Sequence, residues 1–320
     1  MGSQEFNLED ALLETNCPDL KLVKRGKVRD IYEVPGEEDK LLFVATDRIS
    51  AFDIIMKNGI PNKGKLLTKL SVYFFHKFQH LIPNHLITSD WNQISSKSNL
   101  IQKYSSQLKD RTILVKKSQV LNCEAIVRGY LTGSAWKEYQ QTGTVHGIQM
   151  PEGLLESYKF PEPIFTPSTK AEIGDHDQNI HPDQLSDLLG SKELSNQIQK
   201  TSIDLYNLTN EHCKSINSTL FLVDTKFEYG IDPQTSNLIL IDECLTPDSS
   251  RFSTIKDYQI GQKFSGFDKQ FLRDWILNQT ELNLKSMKDF DLEIPKDVLQ
   301  ITWKKYLDGF QNLTGFEFQC

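Results

Sequence analysis

The residues best able to do chemistry lie between Val223 and Arg251, in the run VDTKFEYGIDPQTSNLILIDECLTPDSSR. Asp224, Lys226 and Glu228 alternate there, and on a β-strand such spacing puts all three side chains on one face. The turn pair Asp232-Pro233 separates the apolar runs Thr219 to Val223 and Leu238 to Ile241, which predicts a β-hairpin. Asp242 and Glu243 then end the partner strand, beside the acids of the first. Carboxylates placed after a buried strand suit a magnesium site, where one or two acidic oxygens are completed by nucleotide phosphates. Lys226, between the acids, has the charge to neutralise a phosphate or a substrate carboxylate. A solvated strand face with ordinary ion pairs shows the same alternation. The nearly pure apolar partner strand ending in Asp-Glu is what favours a site.

Two further constellations carry cations. In Arg25-Gly26-Lys27-Val28-Arg29-Asp30, a glycine between two strands lets backbone approach a ligand closely, and the flanking cations match phosphate oxygens. An exposed basic turn has the same composition, and neither a Walker A loop nor a GxGxxG occurs anywhere. In Glu124-Ala-Ile-Val-Arg128-Gly-Tyr-Leu-Thr-Gly-Ser134, an arginine ending an apolar strand precedes a glycine-rich turn with a hydroxyl. That combination fits a phosphomonoester clamp; it equally fits an arginine capping a neighbouring helix. A fourth stretch, Thr166 to Asp177, is dense in polar groups, among them Lys170, Glu172, Asp175, His176 and Asp177. So little apolar anchor also suits a mobile loop.

The elements that must position these groups follow from periodicity. Leu20 to Val34 reads as two strands around Arg25-Gly26-Lys27, and Lys40 to Ala45 as a third, ending at Thr46-Asp47-Arg48. Leu66 to Leu81 has helical spacing. Arg111 to Val127 reads as two strands joined by Lys116, Lys117 and Ser118. Pro151 to Asp183 has no clear period and is expected to be a long loop of the functional kind. Asp183 to Lys214 is expected to be helical, and from Asp268 onward amphipathic helix dominates.

Composition limits the classes. The net charge of −7 over 320 residues excludes a global basic field for nucleic acid, so an anionic substrate needs a local cluster of Lys and Arg. Five scattered cysteines without a CxxC pair suggest neither a disulfide framework nor a zinc site. The acidic amino terminus lacks the regions of a signal peptide, and no apolar run approaches the roughly 18 residues a membrane helix needs. The expectation is a cytoplasmic protein with no membrane or nucleic-acid partner, a monomer or small homo-oligomer.

Taken together the motifs resemble the SAICAR synthetase family, in its single-function fungal form. The blocks RGKVRDIY, ATDRISAFD, IVRGYLTGSAWK, FTPSTKAE and DE-x-LTPDSSR stand in order between about Val23 and Trp275. Two departures, Asn122-Cys123 where the family usually has Pro-Leu and Tyr229 where it usually has Phe, lie beside the charged positions. The resemblance implies an α+β, two-lobed fold: an N-terminal antiparallel β lobe (1–118) and a larger α/β lobe (119–320), with an ATP cleft of ATP-grasp or kinase-like type between them. It implies an ADP-forming ligase that uses ATP and Mg²⁺ to join L-aspartate to an aminoimidazole ribonucleotide carboxylate.

Site roles follow from the same resemblance. Gly26, Lys27 and Arg29 would meet ATP phosphates, and Glu228 and Asp242 would bind magnesium. Lys226, Asp224 and Arg251 would be catalytic. Arg128, Ser134, Ser250 and Arg251 would hold the ribonucleotide phosphate, with Lys170 and Asp177 on the imidazole and aspartate side. A backbone stretch near Val115 to Val120 would receive the adenine. The rival classes are a kinase, which would need HRD and DFG triplets that the chain lacks, and a non-catalytic nucleotide-binding module, which would have no use for both carboxylates and Lys226 together.

Overall fold

A computed structural model describes residues 6–52, 54–170, 177–264, 270–279 and 287–319 of this α+β chain. Contacts divide it into two compact units, 1–73 with 86–117 and 267–320, and 74–85 with 118–266.

The first unit holds a five-stranded antiparallel sheet. Its order is Leu22–Arg25, Arg29–Val34, Glu37–Ala45, Thr112–Lys116 and Leu86–Thr88. Along Arg29–Val34 burial alternates residue by residue, so Tyr32 and Val34 enter a core with Leu42, Val44 and Leu114. Ile94, Ile101, Tyr104 and Leu108, from short helical segments, close that core. The expected strand from Lys40 in fact begins at Glu37. The helix expected from Leu66 runs from Lys63 to Phe78; its start is fixed by the Asp47 carboxylate, which accepts the Gly64 N–H at 2.9 Å. Among the described residues beyond 268, helix dominates as expected. Helices Gln270–Leu277 and Lys296–Thr314 flank a stretch that bonds to the hairpin Arg48–Ala51/Ile54–Gly59, through Phe290 N–H to Ile55 O (2.6 Å) and Lys57 N–H to Leu292 O (2.8 Å).

The second unit is built on another antiparallel sheet, ordered Tyr158–Phe165, Gln119–Leu131, Leu220–Ile231, Leu238–Ile241. Ser250–Thr254 pairs with the first half of Leu220–Ile231, and Ser168–Thr169 with Gln119–Leu131. The long loop expected over Pro151 to Asp183 is therefore corrected: it contains an eight-residue strand. Pro161 and Pro163 obscure its period, and a proline is tolerated because this is an edge strand whose pairing slips between Lys159 and Ile164. The helix expected from Asp183 to Lys214 is interrupted at Gly190 and resumes as Lys192–Ser215. That helix seats on the sheet through Tyr206, whose hydroxyl donates to Leu222 O at 2.7 Å. Gly129 makes the seat possible, since a Cβ there would lie 1.8 Å from the Tyr206 oxygen.

Candidate active site

The central strand Leu220–Ile231 presents Asp224, Lys226 and Glu228 on one half-buried face, while Thr225, Phe227 and Tyr229 are buried on the other. Strand pairing then decides what surrounds each. Asp224 stands opposite Arg128 on one neighbouring strand and Arg251 on the other, so two guanidiniums flank one carboxylate. They are 3.9 Å and 3.6 Å from Asp224 Oδ2, beyond hydrogen-bond distance. That oxygen is buried and accepts no hydrogen bond among the described residues. Arg128 donates from Nε to the Thr166 hydroxyl at 3.0 Å and from Nη2 to Ser134 at 3.4 Å. Arg251 donates to Thr132 at 3.3 Å. Gly133 leaves room for this guanidinium: a Cβ would lie 3.0 Å from Arg251 Nη2, and the residue's φ is +62°. Ser250 shares a 2.8 Å hydrogen bond with Thr225. Burial pulls the Arg128 pKa down from its ordinary value, against the pull of Asp224. An anion placed between the two arginines would relieve that penalty.

Two residues along the strand, about 7 Å away, the balance reverses. Lys226 bonds Glu124 and lies 3.9 Å from Glu228, which Lys170 also contacts. Burial opposes the ammonium charge, yet Glu124, Glu228 and Asp242 together hold the Lys226 pKa above its usual value. For Glu124 burial prevails over Lys226, and Asp177 and Glu228 add to it, so its pKa is raised. Among the described residues, Glu124, Glu228, Asp242 and Asp177 thus gather about Lys226 and Lys170. Asp242 follows directly on Ile241, the residue paired with Glu228, and its φ of +69° turns the chain off the sheet. Asp177 is exposed; Glu172, Asp175 and His176 of the same polar stretch lie outside the described residues.

In the first unit, Gly26 N–H donates to Arg29 O at 2.7 Å and closes the turn between the first two strands. Lys27 is exposed and Arg29 half-buried. The turn is held from beneath by Arg48, which donates to the carbonyl oxygens of Lys27 (3.0 Å) and Gly26 (2.8 Å).

The structure brings together Asp224, Arg128, Arg251 and Ser134 at one end of the face, and Lys226, Glu228, Lys170 and Asp242 at the other; Ser250, expected with the first group, instead bonds Thr225 on the opposite, buried face of the sheet. Sequence reading missed the part played by Glu124, although it opens a block already singled out. Its signal was an acid inside an apolar strand, which demands a partner. Thr132 and Thr166 were missed as well; a threonine beside an arginine motif carries no comparable signal.

A profile of SAICAR synthetase matches residues 22–289. The chain is 49% identical over 307 residues to a phosphoribosylaminoimidazole-succinocarboxamide synthase of Schizosaccharomyces pombe, covering 95% of this chain and 98% of that one. It is 48% identical over 301 residues to the protein of that name from Saccharomyces cerevisiae, covering 92% and 95%. A solved structure described as SAICAR-synthase from Saccharomyces cerevisiae complexed with SAICAR superposes with a TM-score of 0.85, at 45% identity, over 97% of this chain and 100% of that one.

Proposed function

The chain belongs to the SAICAR synthetase family, and from that premise we propose that its substrates lie along the face of the central strand. It is an ATP-dependent ligase of de novo purine biosynthesis. L-Aspartate is joined to the carboxylate of 5-amino-1-(5-phosphoribosyl)imidazole-4-carboxylate, giving SAICAR, ADP and phosphate.

A carboxylate resists an incoming amine because its negative charge repels the lone pair. One of its oxygens therefore attacks the γ-phosphorus of ATP, breaking the bond to ADP and leaving an acyl phosphate. The aspartate nitrogen then attacks the acyl carbon, expelling phosphate and losing a proton. Both steps build charge on phosphoryl oxygens, so fixed cations are the catalysts the chemistry needs. Lys226 meets the substrate carboxylate and the transferring group. Arg128, Arg251 and Ser134 hold the ribonucleotide phosphate, with Asp224 setting the two guanidiniums apart. Lys170 and Asp177 serve the imidazole and aspartate. In the first unit, Gly26, Lys27 and Arg29 form a turn suited to ATP phosphates.

The donor set also fits a divalent cation. Hard carboxylate groups of Glu228 and Asp242 both lie close enough to Lys226 to act on its charge. No group of three His, Cys, Asp or Glu among the described residues is arranged to hold a metal ion, so these two acids would leave the remaining positions to phosphate oxygens and water. Magnesium bound there would supply positive charge to the transferring phosphoryl group.

The observation that carries the reading is the cross-strand order: an arginine pair about Asp224, then the half-buried Lys226 two residues along among acids. One end suits a phosphate that never reacts, the other a carboxylate that does. No described helix is long and apolar enough to cross a membrane, and we place the enzyme in the cytoplasm on its metabolic role. The test is ADP release with product detection by mass. Release is expected to require both the ribonucleotide and aspartate; release that ignores aspartate would make the protein a kinase or simple ATPase.

A further inference from the structure

The small hairpin Thr144–Val145/Ile148–Gln149 turns through His146 and Gly147, whose φ angles are +48° and +75°. Two central residues at positive φ favour Asn-Gly in such a turn. A histidine enters the left-handed region less readily than glycine, so what its side chain gains there matters. A turn-tip residue ordinarily faces water, but His146 is 3% exposed. Its Nδ1 lies 2.9 Å from the carbonyl oxygen of Pro167. A carbonyl only accepts, so Nδ1 carries the proton and donates.

Pro167 follows Thr166, and Thr166 touches the arginine of the phosphate clamp. Its hydroxyl accepts from Arg128 Nε at 3.0 Å, while its N–H donates to Ile126 O at 2.8 Å. The Pro167 carbonyl accepts a second bond, from Ile180 N–H at 3.1 Å. The imidazole therefore braces, from behind, the segment that aims Arg128. Burial, with the Arg128 charge beside it, depresses the His146 pKa to about 4, so the ring is neutral and does not compete with the arginine for an anion.

The geometry points to His146 as a positioning residue for the ribonucleotide phosphate: its Nδ1–H fixes the Pro167 carbonyl, and through it the Thr166 hydroxyl that orients Arg128. The inference rests on the proposed assignment of Arg128 to that phosphate. Two substitutions separate the donor from the turn, because both accept φ near +48°. In His146→Asn the amide nitrogen replaces the Nδ1 donor; His146→Gly has none. Steady-state KM for the ribonucleotide and for ATP is measured for both, with Arg128→Met as reference. His146→Gly is expected to raise the ribonucleotide KM about five- to tenfold, the size of one lost hydrogen bond. The KM for ATP and kcat at saturation are expected to stay put, and His146→Asn to remain within about twofold of wild type. A glycine variant with wild-type KM overturns the proposal, as does an asparagine variant as impaired as glycine, or a loss spread equally over both KM values and kcat. If Arg128→Met itself leaves the ribonucleotide KM unchanged, the phosphate assignment fails instead.

Discussion

Each unit buries a cluster of charges, and the two clusters use their hydrogen bonds differently. In the first unit Asp30 and Asp47 are wholly buried. Arg111 meets Asp47 in two hydrogen bonds of 2.9 and 3.1 Å. Arg48 donates to Asp30 at 2.7 Å and to the carbonyls of Leu13, Gly26 and Lys27. Asp30 also accepts from Thr15, through both its N–H and its hydroxyl. In the second unit, Arg128 and Arg251 stand 3.9 and 3.6 Å from an Asp224 oxygen that accepts no hydrogen bond among the described residues. The lesson is that burial of charge alone does not identify a site. Charges whose hydrogen bonds are completed by the protein hold the frame; charges kept near one another at longer range leave room for a ligand between them.

Substitutions can break that contrast, and the largest effect is expected in the frame. Arg48→Met takes from the buried Asp30 its 2.7 Å guanidinium partner, leaving Arg25 at 3.5 Å, and should cost about 3–5 kcal/mol of stability, read as a fall in the urea midpoint. A variant of unchanged stability would mean the first cluster is not structural. Lys226→Met comes next. Removing a cation aimed at the transferring group should lower kcat by about 10²–10³, with a smaller change in the KM for ATP. An unchanged kcat would return Lys226 to the role of an ordinary ion-pair partner. Arg128→Met keeps the aliphatic stem packed and removes the charge, so the ribonucleotide KM should rise about 10–100-fold. A change confined to the KM for ATP would mean that Arg128 serves the nucleotide. Ser134→Ala should have the smallest effect, about two- to threefold in the same KM, because its bond to Arg128 is long at 3.4 Å. A larger loss would give the hydroxyl a direct contact with the phosphate.

The contrast also explains what could be read without coordinates. Alternation places Asp224, Lys226 and Glu228 on one face because a strand has a period of two and nothing else can satisfy it. The pairing that sets Asp224 between Arg128 and Arg251 is long-range, and residue type does not encode it. Asp47 and Arg48 were visible only as a polar cluster ending a strand. Their burial depends on Leu12, Leu13 and Arg111, which are distant in sequence or carry no signal. The return of 267–320 to the first unit was likewise hidden, since amphipathic spacing says that a helix buries a face and not what it is buried against. The strand Tyr158–Phe165 was hidden by prolines that an edge position tolerates.

The second cluster is where the ribonucleotide is expected to bind. Calorimetric titration of the aminoimidazole ribonucleotide carboxylate into wild-type and Arg128→Met protein tests this without turnover. The expected result is binding at least tenfold weaker in the variant, with a melting temperature within a few degrees of wild type. Wild-type affinity in a folded Arg128→Met protein would contradict it.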